Sequence, residues 1–323
     1  MRRECMETKR IGFTKFWDRF GTVIIFVGML LIFSLFAPPT FLTWNNLKQI
    51  ATQSSVTMLI ACGEFFAILV AGIDLSVGSV VALTGMITAK LMVSAGMPVL
   101  PAFLIGSVLC GLLLGLINGA LINVTNVHPF IITLGTQSVF RALTLIISNA
   151  QATFGFPGTF SKIFGGLWNG IPMSVVIALV VAVLMWFITS KTTFGRNLYA
   201  IGGNRDSAWY SGINVKMHIL AVHTISGLCA GICGSVLTAR LGAAEPNGAT
   251  GYETDAIAAA IIGGTSFFGG KGTIPGVIIG ALILGLINNG LNMCSVPTFY
   301  QNLATGLLLI IAVALDTFIA RKK

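Results

Sequence analysis

The sequence predicts an all-α, polytopic integral membrane protein with about ten transmembrane helices, an inverted internal repeat and both termini cytoplasmic. Three observations carry that reading: a composition too apolar for a water-facing surface, ten apolar runs of near-spanning length, and a one-sided distribution of basic residues. Of 323 residues, 55% are hydrophobic and 9% charged, against about 25% charged in a soluble domain. The mean hydropathy is +0.91. The 38 glycines suit helices that pack closely in a bilayer. Such a chain is neither disordered nor a nucleic-acid-binding domain, despite a formal net charge of +9.

A spanning helix needs about 20 mostly apolar residues. The candidate runs are 20–36, 47–71, 76–94, 98–122, 129–148, 171–190, 217–239, 253–268, 273–293 and 299–319. The first follows a charged cytoplasmic segment, 1–19. It ends in Ala37-Pro38-Pro39 without a small-x-small cleavage pattern, so it reads as an uncleaved span. The eighth is short and ends in glycine, which suggests a broken or re-entrant segment. The membrane domain is thus 20–319, with a polar cytoplasmic loop at 191–216 and a basic tail at 320–323.

Lysine and arginine accumulate on the cytoplasmic side of membrane proteins. With the N-terminus inside, the inner segments hold Arg2, Arg3, Lys9, Arg10, Lys15, Arg19, Lys191, Arg196, Arg205, Lys216, Lys271, Arg321, Lys322 and Lys323. The outer segments hold Lys48, Lys90, Lys162 and Arg240, and Arg141 falls within a span. One missed span would scramble this bias, so it supports both the count and the orientation.

Gly106 to Leu121 aligns without gaps to Gly276 to Leu291, at an offset of 170 residues. The shared Gly-Leu-Ile-Asn, Gly115 to Asn118 against Gly285 to Asn288, carries the signal. The matched runs are the fourth and the ninth. Five is odd, so the two copies run in opposite directions, as in transporters whose pathway lies between inverted halves.

Few ionisable groups lie deep. Glu64 in the second run and Arg141 in the fifth are well inside a hydrocarbon core about 30 Å thick. Lone charges there are costly. The expectation is a buried Glu64–Arg141 ion pair tying the two spans; the alternative is a substrate or proton site. No catalytic constellation is visible. His128, His218 and His223 lack metal-ligand spacing, and the six cysteines show no disulfide or zinc pattern. No metal or cofactor is expected. The stretch Gly264 to Thr273 fails the phosphate-loop pattern at Thr265 and Gly272, so ATP hydrolysis must come from a partner.

The inner loop is the sharpest local signal. Gly202-Gly203-Asn204 marks a turn, and Asn204 suits a helix cap. Asp206 to Ser211 then reads as a short helix ended by Gly212. A capped polar helix held between two spans suits docking of a soluble partner. On the outer side, Lys162, Arg240, Glu245 and Glu253 are the charges available to a second partner.

Four stretches together resemble the membrane subunit of ribose-type sugar ABC importers: Gly63 to Ser79 with its Gly-Ile-Asp-Leu-Ser-Val-Gly, His128 to Gly135, Ala200 to Asn204, and Ile261 to Gly272. The resemblance runs from about residue 20 to the end. It implies a permease of the bacterial inner membrane that moves a monosaccharide. A second permease subunit, most simply another copy, would complete the pathway. A cytoplasmic ATP-binding subunit would drive it, and a periplasmic sugar-binding protein would deliver to it. Permeases of this kind often carry Glu-Ala-Ala-x-x-x-Gly in the loop that docks the ATPase. Here the corresponding residues are Asp206, Ser207, Ala208 and Gly212, so the docking role carries over with Gly203 and Asn204 as the helix entry, and the first two positions depart from the pattern.

Overall fold

The computed structural model describes residues 21–37 and 39–321; the segment 1–19 and the last two residues of the basic tail lie outside them. Each of the ten apolar runs contains a helix. These are α1 (Gly21–Phe36), α2 (Trp44–Leu69), α3 (Val77–Val93), α4 (Val99–Thr125) and α5 (Pro129–Ser148). A two-residue hairpin, Leu167–Trp168 with Ile171–Pro172, precedes α6 (Met173–Lys191). Two loop helices follow, α7 (Thr193–Gly203) and α8 (Arg205–Tyr210). The remainder are α9 (Val215–Leu241), α10 (Tyr252–Ile262), α11 (Ile274–Met293) and α12 (Thr298–Arg321).

Six of these helices, α2, α4, α5, α6, α9 and α11, are long and apolar enough to cross a membrane. The apolar helices α1, α3 and Thr298–Ala314 are shorter. The eighth run holds an 11-residue helix, not a span-length one. The helix stops at Gly263, because Gly264 within the run and Gly269, Gly270 and Gly272 just beyond it have positive φ, which a continuing helix forbids.

The core is built on α9, which packs on α2, α3 and α4. Glycine spacing allows this. Gly111 and Gly115 of α4 cross Gly227 and Gly231 of α9 with backbones in contact, a small-xxx-small crossing. A Cβ at Gly115 would collide with the His223 carbonyl and lie 2.9 Å from the Thr224 Cα. Gly115→Val is therefore expected to force the helices apart, at a cost of about 1–3 kcal/mol or more. A detergent-solubilised thermal melt checks this, and an unchanged melting temperature would refute the crossing.

Glycines offset by 170 residues also make close contacts. Gly285, aligned with Gly115, lies against Ser54 of α2. Gly106 of α4 sits on Thr88 of α3, and its partner Gly276 of α11 sits on Gly263 just after α10. In α4 a π-helical stretch, Leu104–Leu109, places Ser107 between two neighbours. Its hydroxyl lies 3.0 Å from that of Thr88 and 2.6 Å from that of Ser235. Such bulges re-aim a side chain without ending the helix.

Candidate functional site

The polar loop 191–216 builds a defined surface. Asn204 caps α8 by accepting from Ser207 N at 2.8 Å. Gly212, with φ +83°, closes it: its N–H donates to Trp209 O, and Ile213 N–H to Ala208 O. Gly203, Asp206 and Ser207 are exposed with Asn204. Ala208 is not. It is buried among Ile122, Ile201, Val215 and Ile219, and so anchors the helix instead of meeting a partner. The outward face belongs to Trp209 and Tyr210, 62% and 81% exposed, with ring centroids 4.9 Å apart.

This helix is tied to the membrane domain at one junction. Gly202 lies against the Leu69 carbonyl and Gly270, and Gly270 N–H donates to that carbonyl at 2.9 Å. Tyr199 donates its hydroxyl to Gly272 O at 2.9 Å. The end of α2, the end of α7 and the loop after α10 are thus joined at one place.

From Leu69 the chain enters the loop 70–76, which dives into the protein. Asp74, 1% exposed, is its hub. Its Oδ1 accepts from Ser76 N at 3.0 Å, Ser76 Oγ at 2.6 Å and Asn118 Nδ2 at 3.5 Å. Its Oδ2 accepts from Ser226 Oγ at 3.1 Å. Asn118 also donates to Ser76 Oγ at 2.7 Å. Thr133 of α5 donates to Ile73 O and accepts from Leu75 N–H. One carboxyl thus joins the loop to α4 and α9, and Thr133 adds α5.

Glu64 belongs to this knot and not to Arg141, which corrects the expected ion pair. Glu64 is fully buried and its Oε1 accepts from Asp74 N–H at 2.9 Å. Arg141 donates through Nη1 to Pro246 O and Gly248 O, each at 2.8 Å. Each residue bonds to the backbone of a different loop, Glu64 to the one after α2 and Arg141 to the one after α9. Glu64→Gln, which keeps an oxygen for the Asp74 N–H, is expected to leave the protein's abundance within about twofold of wild type. Quantitative immunoblotting of membranes tests this, and a large loss would restore a charge partner for Glu64.

On the other side, Lys162 and Glu245 are exposed and Arg240 is half-buried at the end of α9. Glu253 departs from expectation: it is 9% exposed, and its Oε1 accepts from Gln137 Nε2 of α5 at 3.0 Å. It is folded against Gly78, where a Cβ would collide with its Oε2. The carboxylate therefore does not offer itself to an outer partner. Among the described residues no group of three or more His, Cys, Asp or Glu side chains could hold a metal ion.

Reading the sequence alone missed Asp74, Ser76, Asn118, Ser226 and Gln137. A signal for the first two was present. Gly72 and Gly78 recur as Gly242 and Gly248 at the same offset of 170, in the stretches that follow α2 and α9.

A protein family described as the permease component of branched-chain amino acid transport systems matches residues 46–313. The chain is 56% identical over 321 residues to the D-allose transport system permease protein of Escherichia coli K12, covering 99% of this chain and 98% of that protein. It is 40% identical over 307 residues to the ribose import permease protein of Haemophilus influenzae, covering 92% and 94%. It is 37% identical over 325 residues to the galactose/methyl galactoside import permease protein of Salmonella typhimurium, covering 95% and 97%. No solved structure matches the chain.

Proposed function

The chain belongs to this family of transport-system permease components, and from that membership we propose that it is the membrane-spanning subunit of a binding-protein-dependent ABC importer that carries D-allose across the bacterial inner membrane. The observation that carries the reading is 56% identity to a D-allose permease along nearly the whole of both chains. Ribose and galactoside permeases follow at 40% and 37%, which favours a monosaccharide as the class and allose within it.

Two copies of the chain form the pathway. Ten spans arranged as inverted halves, with both termini cytoplasmic, are supported by the basic-residue bias and by the paired glycine contacts at the 170-residue offset. A cytoplasmic ATP-binding subunit docks on α8, with Asn204 and Gly212 fixing the helix, Ala208 seating it and Trp209 and Tyr210 making contact. Motion of α8 passes through Gly202, Gly270 and Leu69 into α2 and the Asp74 knot. A periplasmic sugar-binding protein docks on the outer loops near Lys162, Arg240 and Glu245, whose charges steer its approach.

Cells lacking this chain test the substrate. Loss of D-allose uptake with ribose uptake retained is the expected outcome, and unaltered allose uptake would contradict it.

A further inference from the structure

We propose that the cavity between the loop after α2, the start of α5 and the loop after α10 is a sugar-contacting station at the inner mouth of the pathway; this deepens the permease reading above and rests on it. The cavity holds about 520 Å³, within the range of about 300–1,000 Å³ usual for small-ligand pockets. Ala71 and Ile73 line it from the first loop, His128 and Phe130 from the start of α5, and Phe267 and Phe268 from the last loop. Polar, exposed chain borders it on both sides: Thr125 and Asn126 precede His128, and Lys271 and Thr273 follow Phe268. A rim that includes a lysine calls for water and not for acyl chains. Its walls also belong to the junction described above. Gly270 N–H donates to Leu69 O, which joins the two loops, and Gly202 at the end of α7 lies against both. The cavity wall is therefore bonded to the segment that carries α8.

The lining defines the ligand. Phe268 is 52% exposed and meets Phe267 nearly edge-on, with ring centroids 5.9 Å apart. Phe130, also exposed, adds a third ring. Aromatic faces are flat and apolar, and so is the C–H side of a pyranose. His128 supplies the polar contact. Phe130 N–H donates to its Nδ1 at 3.3 Å, so in the neutral ring the proton sits on Nε2. That N–H makes no bond to the described residues, and the exposed ring leaves it for a hydroxyl. No charged side chain among the described residues lines the cavity. Such a lining suits a neutral solute with an apolar face and a rim of hydroxyls, as in a monosaccharide, and does not suit an ion. One donor and three rings hold it loosely, as passage requires.

The test uses the full complex in liposomes. Phe268→Cys is expected to react with a membrane-impermeant maleimide supplied at the inner face, well above the wild-type chain, and the modified complex to lose most of its sugar uptake. A residue 268 sealed from the reagent would mean that lipid or a second copy of the chain fills the cavity, and would overturn the station. Phe268→Ala and His128→Ser then measure the contact, with binding protein loaded with D-allose or D-ribose and with ATP-dependent uptake and ATP hydrolysis read separately. Phe268 is half-exposed, so its removal empties no core. Serine still caps α5 and lacks the ring N–H. Loss of the ring is expected to slow uptake about tenfold and loss of the N–H about fivefold, with a changed allose-to-ribose ratio and stimulated ATP hydrolysis within about twofold. Wild-type rates, or equal slowing of both sugars as a purely structural residue would give, would overturn the station while leaving the permease reading intact. Failure of the wild-type complex to move either sugar would overturn both.

Discussion

Replacing Trp209 and Tyr210 together with alanine is expected to abolish ATP hydrolysis stimulated by the loaded binding protein, while the permease stays folded in the membrane. The two rings are 62% and 81% exposed and pack on one another, so their removal empties no core. Buried on docking, an aromatic anchor of this kind is worth about 2 kcal/mol or more, or about 30-fold in affinity for each. Co-purification of the ATP-binding subunit reads the effect directly. Ala208→Glu should fail differently. Its side chain points into the cluster of Ile122, Ile201, Val215 and Ile219, so a carboxylate there displaces the whole of α8. Retained co-purification in the double aromatic variant would place the contact elsewhere on the inner surface.

Asp74→Ala is expected to destabilise the fold itself. The substitution strips the partner from Ser76 N–H, Ser76 Oγ–H and Ser226 Oγ–H in a region closed to water. Each orphaned buried donor costs about 1–3 kcal/mol, and loss of one member of a buried charged network about 3–5 kcal/mol. That is a large share of the 5–15 kcal/mol that holds a typical protein together. Asp74→Asn keeps one acceptor oxygen and should fall between. Detergent melts of the three forms rank them, and a wild-type melt for Asp74→Ala would show that the knot is dispensable.

Much of the architecture was legible because the bilayer leaves few choices. Apolar length and glycine spacing report directly on helices, and each of the ten apolar runs contains one, six of them long and apolar enough to cross a membrane. The cap at Asn204 and the stop at Gly212 were legible because they act within four residues. The Glu64–Arg141 pair failed for a definable reason. Position along a helix gives depth but not direction, and it hides the backbone groups of neighbouring loops, which here bond to both residues. The Asp74 hub was hidden for the same reason: Ser226 stands 152 residues away in sequence. Ala208 was misread because a small residue in a polar loop gives no sign of which side it faces, and only packing against Val215 and Ile219 decides that.

The most direct test of the account is sugar accumulation in liposomes holding this chain and the ATP-binding subunit, with sugar-loaded binding protein supplied at the outer face and ATP at the inner. The account predicts D-allose accumulation that stops when ATP, the ATP-binding subunit or the binding protein is left out. Accumulation driven by an ion gradient through this chain alone would contradict it.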